Sequence, residues 1–194
     1  PDTVWQNFGW DLDVVKRGGL NPKMFNSFID GTKASIEMAA VCNATGLIPQ
    51  SDGLSFPPSS RFELADICKP IEFGGKLEHF GTTEVVSSLN RNGKYVENHL
   101  QVGTFVVVEA DSEYVRNCFE EYTMLPDKSF RFSALYRPIH LIGLELGISV
   151  ASTVLRNEPT GSPLGFQSDI VATAKKKLNH GEILDGEGGY CVWG

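Results

Sequence analysis

The chain has 194 residues, of which 41% are hydrophobic and 21% charged, a composition typical of one globular domain or of a domain with an extension. Its formal net charge of -7 and its pI near 5.1 argue against nucleic acids and anionic membrane surfaces as partners. The four cysteines are scattered without a CxxC pair, so neither a zinc site nor a disulfide framework is indicated, and a reducing, cytoplasmic setting is expected.

The two ends of the sequence suggest a piece of a longer protein. It begins at Pro1 without an initiator methionine and stops at Gly194 after a glycine-rich stretch. Residues 1–20 mix aromatic and charged side chains and are expected to form an irregular lead-in with one short strand or helix. No apolar run in the sequence is long enough to span a bilayer.

The stretch from Phe28 to Leu47 predicts a capped helix with polar side chains at its start. Asp30 is expected to be the N-cap, Gly31 to free the preceding turn, and Gly46 to end the helix in the left-handed conformation. The first backbone N–H groups of this helix would then point beyond Thr32 and favour an anion.

Lys33 stands in a place that is unfavourable for a cation, since the N-terminal end of a helix dipole is positive. Lys33 and Glu37 are four residues apart on one helix face, so an ordinary ion pair is one interpretation. The other is that Lys33, compensated by Asp30 and Glu37, faces an anionic or carbonyl-bearing ligand. Spacing alone favours the ion pair, whereas the placement of Lys33 favours the ligand.

A long loop and a short helix are predicted next. Residues 48–58 contain prolines, serines and glycine, with Phe56 as an apolar anchor, and the length is typical of a binding loop or of mere decoration. Ser59 or Ser60 is expected to cap a short helix that Pro70 ends.

Two strands flank a predicted helix in the middle of the chain. Residues 102–109 are rich in β-branched side chains with little polar interruption, as expected of a strand covered on both faces at the centre of a sheet. Residues 130–136 alternate in polarity and predict a second strand. Asp111 or Ser112 is expected to cap the amphipathic helix between them.

The last third of the chain predicts two more helices. Pro138 suits the first position of a helix, and the apolar run that follows predicts a buried helix toward Leu155. His140 and Glu145 would need partners inside it. A surface helix is predicted for residues 169–178.

Three element ends carry polar groups, at residues 30–33, 79–83 and 136–140. Arg137, placed between a strand and a helix start, suits a phosphate or carboxylate because its guanidinium offers two parallel donors beside free helical N–H groups. A structural pair between Arg137 and an acidic residue, with a hydrogen-bonded His140, is equally consistent. The histidine spacing predicts no metal site, and the sequence contains no glycine-rich or Walker motif for a nucleotide.

Three segments carry a resemblance to a known family: DGTKASIEMAAVCNATGL, FRFSALYRPIHLIGLELGISVA and GEILDGEGGYCVWG. They resemble the central domain of homoserine dehydrogenase-like oxidoreductases that carry a C-terminal SAF domain, a group that includes 1-deoxy-D-xylulose 5-phosphate reductoisomerase-like enzymes. The resemblance implies an α/β (α+β) fold with an open mixed sheet covered mainly on one side by helices. It also implies that residues 1–194 form a single catalytic and dimerisation domain, without the Rossmann and SAF domains of the family.

The same resemblance implies an NAD(P)H-dependent oxidoreductase, acting as a homodimer on a small anionic carbonyl substrate, in isoprenoid biosynthesis or in a homoserine dehydrogenase-like reaction. NADPH or NADH would be bound mainly by a domain absent from this chain, and a requirement for a divalent metal stays open. The alternative is a non-catalytic dimerisation or scaffold module whose polar groups are structural.

The resemblance also implies roles for individual residues. Lys33 would polarise the substrate carbonyl or shuttle a proton during hydride transfer, while Asp30 and Glu37 position it or carry protons. The substrate would be held by a polar set formed by Thr32, Asn43, Tyr136, Arg137 and His140.

Overall fold

The structure, a computed structural model, describes residues 1–122 and 124–194 and combines helices with small sheets, which confirms the α/β (α+β) class. The α-helices are α1 (Val4–Phe8), α2 (Leu12–Gly18), α3 (Pro22–Ile29), α4 (Thr32–Thr45), α5 (Leu64–Ile67), α6 (Glu113–Glu121) and α7 (Leu146–Ala151). A short 3-10 helix spans Ile71–Phe73, and a π-helical turn, Ser152–Arg156, continues α7. The strands are β1 (Thr104–Glu109), β2 (Leu125–Pro126), β3 (Phe132–Arg137), β4 (Thr173–Ala174) and β5 (Val192–Trp193). Within the described ranges, no helix is long and apolar enough to cross a membrane.

Strands β1, β2 and β3 form an antiparallel sheet in the order β1-β3-β2. Both predicted strands are therefore present, although the sheet they form is antiparallel rather than mixed. The prediction that residues 102–109 lie at the centre of the sheet is wrong, because β1 is an edge strand and Val106 remains 51% exposed. Its β-branched run reflects strand propensity, which does not distinguish an edge from a centre.

The hydrophobic core lies between the sheet and α5. Phe132 and Ala134, two residues apart on β3, present one face of the strand to Leu64 and Ala65. Ser133 on the opposite face is also buried. Both faces of β3 are therefore covered at this end of the strand.

The N-terminal residues hold more regular structure than predicted. Instead of one short element they form α1 and α2, and Asp11 caps α2 by accepting a hydrogen bond from the backbone N–H of Asp13 at 2.7 Å. Two aromatic rings of this region pack against Phe25 of α3 in edge-on and tilted arrangements, with ring centroids 5.0 Å apart for Trp10 and 5.2 Å apart for Trp5. The aromatic residues of the segment that was predicted to be irregular thus pack the first three helices together.

Most elements in the middle of the chain agree with the predictions made from the sequence. Residues 48–58 form a loop, and Ser112 caps α6 by accepting from the N–H of Val115 at 3.4 Å. The short helix α5 is also present, but its predicted serine cap is not. The hydroxyl of Ser60 instead donates to the Glu63 carboxylate at 2.7 Å.

The predicted buried helix from Pro138 is wrong in both start and burial. The backbone N–H of His140 donates to the carbonyl of Val102 at 2.6 Å, and Gly143 adopts a φ of 81°, so α7 begins only at Leu146. Apolar residues of this segment are exposed, reaching 81% at Leu155. The apolar composition of this segment therefore did not indicate that it is buried.

The predicted helix over residues 169–178 is absent. Thr173 and Ala174 pair instead with Trp193 and Val192 in an antiparallel ribbon of β4 and β5. Intrinsic helix propensity is a weak preference that tertiary pairing overrides. The pairing brings the C-terminal residues of the chain beside the start of α4.

Candidate functional site

The start of α4 is built around Gly31. Gly31 is the N-cap, with a φ of 87°, so the predicted cap is displaced by one residue from Asp30, which ends α3. The Asp30 carboxylate nevertheless accepts a hydrogen bond from the N–H of Thr32 at 3.0 Å. A Cβ at Gly31 would lie 2.9 Å from the ring of Phe56, so glycine is required here by both conformation and space. Gly46 ends the helix with a φ of 78°, as predicted.

Asp30 is engaged by a lysine from far along the chain. Its carboxylate lies 2.6 Å from Nζ of Lys175, and both side chains are largely covered. Burial by itself raises the pKa of Asp30, but hydrogen bonds from Lys175 and from Thr32 outweigh it and hold that pKa below its ordinary value. Asp30 is therefore an ionised carboxylate already paired with a cation.

Lys33 has a much looser environment. Its ammonium lies 3.8 Å from the Glu37 carboxylate, and the two side chains are 37% and 46% exposed. The pair predicted by the structural interpretation is thus present. Its length and exposure make it weak, however, and leave the ammonium accessible to a ligand.

Asn43 contacts backbone atoms of a segment distant in the sequence. Its amide oxygen accepts from the N–H groups of Gln167 at 2.7 Å and Ser168 at 3.1 Å, and its amide nitrogen donates to the carbonyl of Ser168 at 3.1 Å. These bonds use both ends of the side chain. Asn43 therefore fastens the segment around residues 167–168 to α4.

Arg137 and His140 share one acidic partner. Arg137 forms an ion pair with Glu145, and Nδ1 of His140 lies 3.0 Å from the other carboxylate oxygen. Burial by itself raises the pKa of Glu145. The charge of Arg137 and the hydrogen bond to His140 lower that pKa by more, so the net shift is downward. The predicted anion-binding site of Arg137 beside a helix start is not formed, because no helix begins at Pro138. Arg137 instead forms the alternative, a structural ion pair with an acidic residue.

Through the hydrogen bonds of the described residues, residues 79–83 reach the C-terminal part of α4 and the residues that follow it, and not the polar end at residues 30–33. The hydroxyl of Thr83 lies 3.4 Å from Sγ of Cys42 on α4, and the carbonyl of Gly81 accepts from the N–H of Ile48 at 2.8 Å. Among the described residues, no hydrogen bond or ion pair connects residues 136–140 with residues 30–33. Tyr136 lies instead near the guanidinium of Arg61, 5.9 Å from its ring centroid.

Glu84 is a buried acid that sequence reasoning missed. Its carboxylate accepts from the amide of Gln50 at 2.8 Å, from the hydroxyl of Ser55 at 2.6 Å and from the N–H of Phe56 at 3.3 Å. It thereby organises the loop of residues 48–58 and holds Phe56 against Gly31. The only signal in the sequence was a glutamate directly after the polar element end at residues 79–83.

Sequence reasoning also missed a buried ion pair next to the core. Nζ of Lys69 lies 2.8 Å from the Asp127 carboxylate, and the side chains are only 8% and 3% exposed. Asp127 further accepts from the N–H of Phe132 at 3.1 Å, while Asp66 lies 3.1 Å from the same ammonium. Burial lowers the pKa of Lys69, but the bonds to Asp127 and Asp66 raise it above its ordinary value. This pair braces the sheet against the segment after α5.

Two cavities lie on the sheet side of the molecule, away from the Lys33 side chain. One of about 80 Å³ is lined by residues including Cys68 and Phe132, and burial together with the charge of Glu84 raises the pKa of the Cys68 thiol to about 12. The other, of about 450 Å³, is an open cleft between Glu109 and Arg116. The smaller cavity is lined by part of the polar element end at residues 79–83, and neither cavity is lined by a residue predicted to be catalytic or substrate-binding.

The described residues form neither a metal-binding cluster nor a dinucleotide-binding turn. Within residues 1–122 and 124–194, no three His, Cys, Asp or Glu side chains are grouped as metal ligands require. All paired strands named above are antiparallel, and the turn from β1 to α6 contains no glycine, whereas a dinucleotide pyrophosphate needs a glycine-rich turn in a parallel unit. The described residues therefore do not fit a nicotinamide dinucleotide.

Comparison with known proteins places these features in a family. The family described as "Oxidoreductase DRL, catalytic domain" matches residues 1–146, which include α1 to α6, the three-stranded sheet and the Lys33 site. No curated protein matches the chain.

Proposed function

The chain belongs to the family of oxidoreductase DRL catalytic domains, and we propose that it is the catalytic domain of an NAD(P)H-dependent enzyme acting on a small anionic carbonyl compound. The substrate class is a phosphorylated ketose such as 1-deoxy-D-xylulose 5-phosphate, or an amino-acid semialdehyde as in homoserine dehydrogenase. Because the described residues do not fit the dinucleotide, the cofactor is assigned to a part of the protein outside residues 1–194.

The observation that carries this proposal is the environment of Lys33. Asp30, the nearest carboxylate along the chain, is already paired with Lys175 at 2.6 Å, and Glu37 lies at 3.8 Å. Lys33 is thus a partly exposed cation in the first turn of a 14-residue helix, where backbone N–H groups add positive potential. A carbonyl oxygen that gains negative charge during reduction is stabilised in such a place.

The remaining residues take roles around Lys33 in this proposal. Glu37 exchanges a proton with Lys33, and Asp30 positions the helix start through the N–H of Thr32. Thr32 lies beside Lys33, and its hydroxyl accepts from the N–H of Gly194 at 3.1 Å.

The more distant members of the substrate-binding set contribute differently. Asn43 acts from farther along α4 by fixing the segment that it fastens. Arg137 and His140 would bind the anionic end of the substrate only in exchange for Glu145, with Tyr136 adjoining them in the chain. An arginine offers the same two donors to a phosphate as to a carboxylate, so these residues do not select between the two substrate classes.

The experiment that tests the proposed function is a substrate panel on the full-length protein. NADPH or NADH oxidation is followed at 340 nm with 1-deoxy-D-xylulose 5-phosphate, aspartate semialdehyde and matched uncharged carbonyl compounds, with and without divalent metal. We expect turnover of an anionic compound and little of the uncharged ones. Oxidation of neither cofactor by any anionic member would contradict the proposal.

The second candidate, a non-catalytic dimerisation or scaffold module, is favoured by one observation. The apolar side chains of residues 139–155 are exposed, reaching 81% at Leu155, and a surface of this kind suits contact with another protein. We include a homodimer through this segment in the proposal, since dimerisation and catalysis are compatible. The coding sequence upstream of Pro1 discriminates the two: a dinucleotide-binding fingerprint there supports the enzyme, and its absence favours the scaffold.

Residues 1–194 alone are expected not to bind NADPH. The reason is the lack of a glycine-rich turn that would hold the pyrophosphate among the described residues. Isothermal titration of residues 1–194 with NADPH should give no heat of binding at micromolar concentrations, while the full-length protein in the same buffer should bind. Micromolar binding by residues 1–194 would mean that the chain holds a cofactor site.

A further inference from the structure

The C-terminal residues 185–194, named here the C-terminal strap, pack on the start of α4 although they lie beyond the matched residues 1–146. Lys23 donates to the carbonyl of Asp185 at 2.7 Å, and Asn26 donates to the carbonyl of Gly188 at 2.9 Å. At the far end, the N–H of Gly194 donates to the Thr32 hydroxyl at 3.1 Å. The strap therefore touches α3 and α4 on both sides of Gly31.

Local chemistry gives the strap its shape. The Asp185 carboxylate accepts from the N–H groups of Tyr190 at 2.8 Å and Cys191 at 3.0 Å, which closes a tight turn. Gly188 sits inside that turn with a φ of 65°, and a Cβ there would lie 1.8 Å from the carbonyl oxygen of Lys23. Only glycine allows such a close approach of strap and helix.

Lys175 connects the strap to the carboxylate at the start of α4. Its backbone N–H donates to the carbonyl of Cys191 at 2.9 Å, so the pairing of β4 with β5 sets its position. Its ammonium then bridges the Asp30 carboxylate at 2.6 Å and the carbonyl of Gly189 at 2.7 Å. One lysine thus joins strap, ribbon and α4.

A second lysine, Lys33, lies close to Asp30 in the sequence. Lys33 follows Asp30 by three residues, a spacing at which side chains near a helix start can meet. Lys175 occupies the carboxylate in the structure, and Lys33 is left with the pair to Glu37 at 3.8 Å. Without Lys175, Asp30 would be a largely buried carboxylate lacking its cation, and Lys33 would be the nearest replacement.

We propose that Lys175 is a positioning residue of the Lys33 site, which keeps Asp30 from neutralising Lys33 and so leaves the Lys33 ammonium available to the substrate oxygen. The expected effect of Lys175 on turnover rests on the proposed function. The expected effect of Lys175 on Lys33 rests on the geometry alone. Under this proposal the Lys33 site includes Lys175, which lies outside the family match of residues 1–146.

The test measures the chemical reactivity of Lys33 in the full-length protein. Limiting acetic anhydride labels amines, and mass spectrometry of the peptide containing Lys33 gives its labelling rate. In Lys175→Met we expect that rate to fall about tenfold, because a carboxylate partner holds the amine protonated. Lys176→Met is the matched control, since Lys176 pairs with Glu182 at 2.5 Å in the same segment and should leave Lys33 labelling unchanged.

Turnover supplies the second readout, using the panel compound that is reduced fastest. Lys175→Met should lower kcat about tenfold with KM within about twofold, because the lost interaction acts on charge that develops in the transition state. Lys175→Arg, which keeps a cation for Asp30, should restore both kcat and Lys33 labelling to within about threefold. If Lys175→Met does not fold, Lys175→Gln carries the same expectations.

Unchanged Lys33 labelling in the Lys175 variants would overturn the inference, as would a loss of melting temperature that Lys175→Arg does not restore. This failure is separable from failure of the proposed function. If Lys33→Met retains turnover, the catalytic assignment is lost, whereas the labelling experiment still decides whether Lys175 keeps Asp30 from Lys33.

Discussion

Replacing Lys33 with methionine is expected to lower kcat of the full-length enzyme by roughly a hundredfold or more and to leave the fold intact. Loss of one well-placed charge at a developing oxyanion costs about 3 kcal/mol of transition-state stabilisation. Stability should change by less than about 0.5 kcal/mol, because the pair with Glu37 is long and exposed. Removing a cation from the positive end of the α4 dipole even relieves a small repulsion.

Steady-state kinetics and thermal unfolding of the same preparation check this expectation. Lys16→Met is the matched control, since Lys16 is an exposed helical lysine on α2 outside the site. It should affect neither kcat nor the melting temperature. If Lys33→Met instead lowers the melting temperature by several degrees and keeps turnover within a few fold, Lys33 is a structural ion-pair member and the catalytic assignment must be abandoned.

Asp127→Ala is expected to lower the free energy of unfolding by about 3–5 kcal/mol, because it leaves the Lys69 ammonium buried without its closest partner. The Asp127 side chain is 3% exposed and lies 2.8 Å from that ammonium. The substitution also removes the acceptor for the N–H of Phe132, a core residue. Chemical denaturation of both proteins at neutral pH measures the difference.

Glu109→Gln is the matched control for this experiment. The carboxylate of Glu109 pairs with Arg131 at 2.6 Å, but both side chains are about one-third exposed or more. A pair of that kind contributes less than about 1 kcal/mol. The double variant Lys69→Met/Asp127→Ala should recover part of the loss, since no buried charge is left uncompensated and Asp66, which also loses its partner, is 40% exposed. A cost below 1 kcal/mol for Asp127→Ala would show that the pair does not stabilise the sheet.

The same pair predicts how the stability difference depends on pH. Burial raises the pKa of Asp127, but the hydrogen bond from Lys69 and those from the backbone lower it below 3.8, so its contribution is present above pH 3.8 and is lost as pH falls through the folded-state pKa. The pKa of Lys69 is raised above 10.5, so its contribution is present below that pH and is lost as pH rises through the folded-state value. The gap between wild type and Asp127→Ala should therefore be constant near neutrality and shrink at both extremes.

Much of the local structure was predictable because its causes lie within a few residues. Gly46 ended α4 as predicted, since a helix end depends on the conformation of one residue. The strands over residues 104–109 and 132–137 followed from their own patterns. The prominence of the polar residues at the start of α4 was likewise visible in the order of Asp30, Gly31, Thr32 and Lys33.

The failures share a different cause, which is competition from distant partners. The predicted helix over residues 169–178 lost to strand pairing with residues near the C-terminus. The predicted helix from Pro138 lost to the bond between His140 and Val102 and to the turn at Gly143. Helix propensity differs among ordinary residues by less than about 1 kcal/mol each, so a few tertiary contacts reverse it.

The sequence by itself therefore determined the chain's mixed class, its two principal strands, the helix that bears Lys33 and the resemblance that led to an oxidoreductase domain. Only the tertiary structure decided which charges far apart in the sequence meet. Lys175 pairs with Asp30 across 145 positions, and Lys69 pairs with Asp127 across 58. Charged side chains carry no pattern that names a distant partner, because any acid suits any base until packing brings one pair together and excludes water from it.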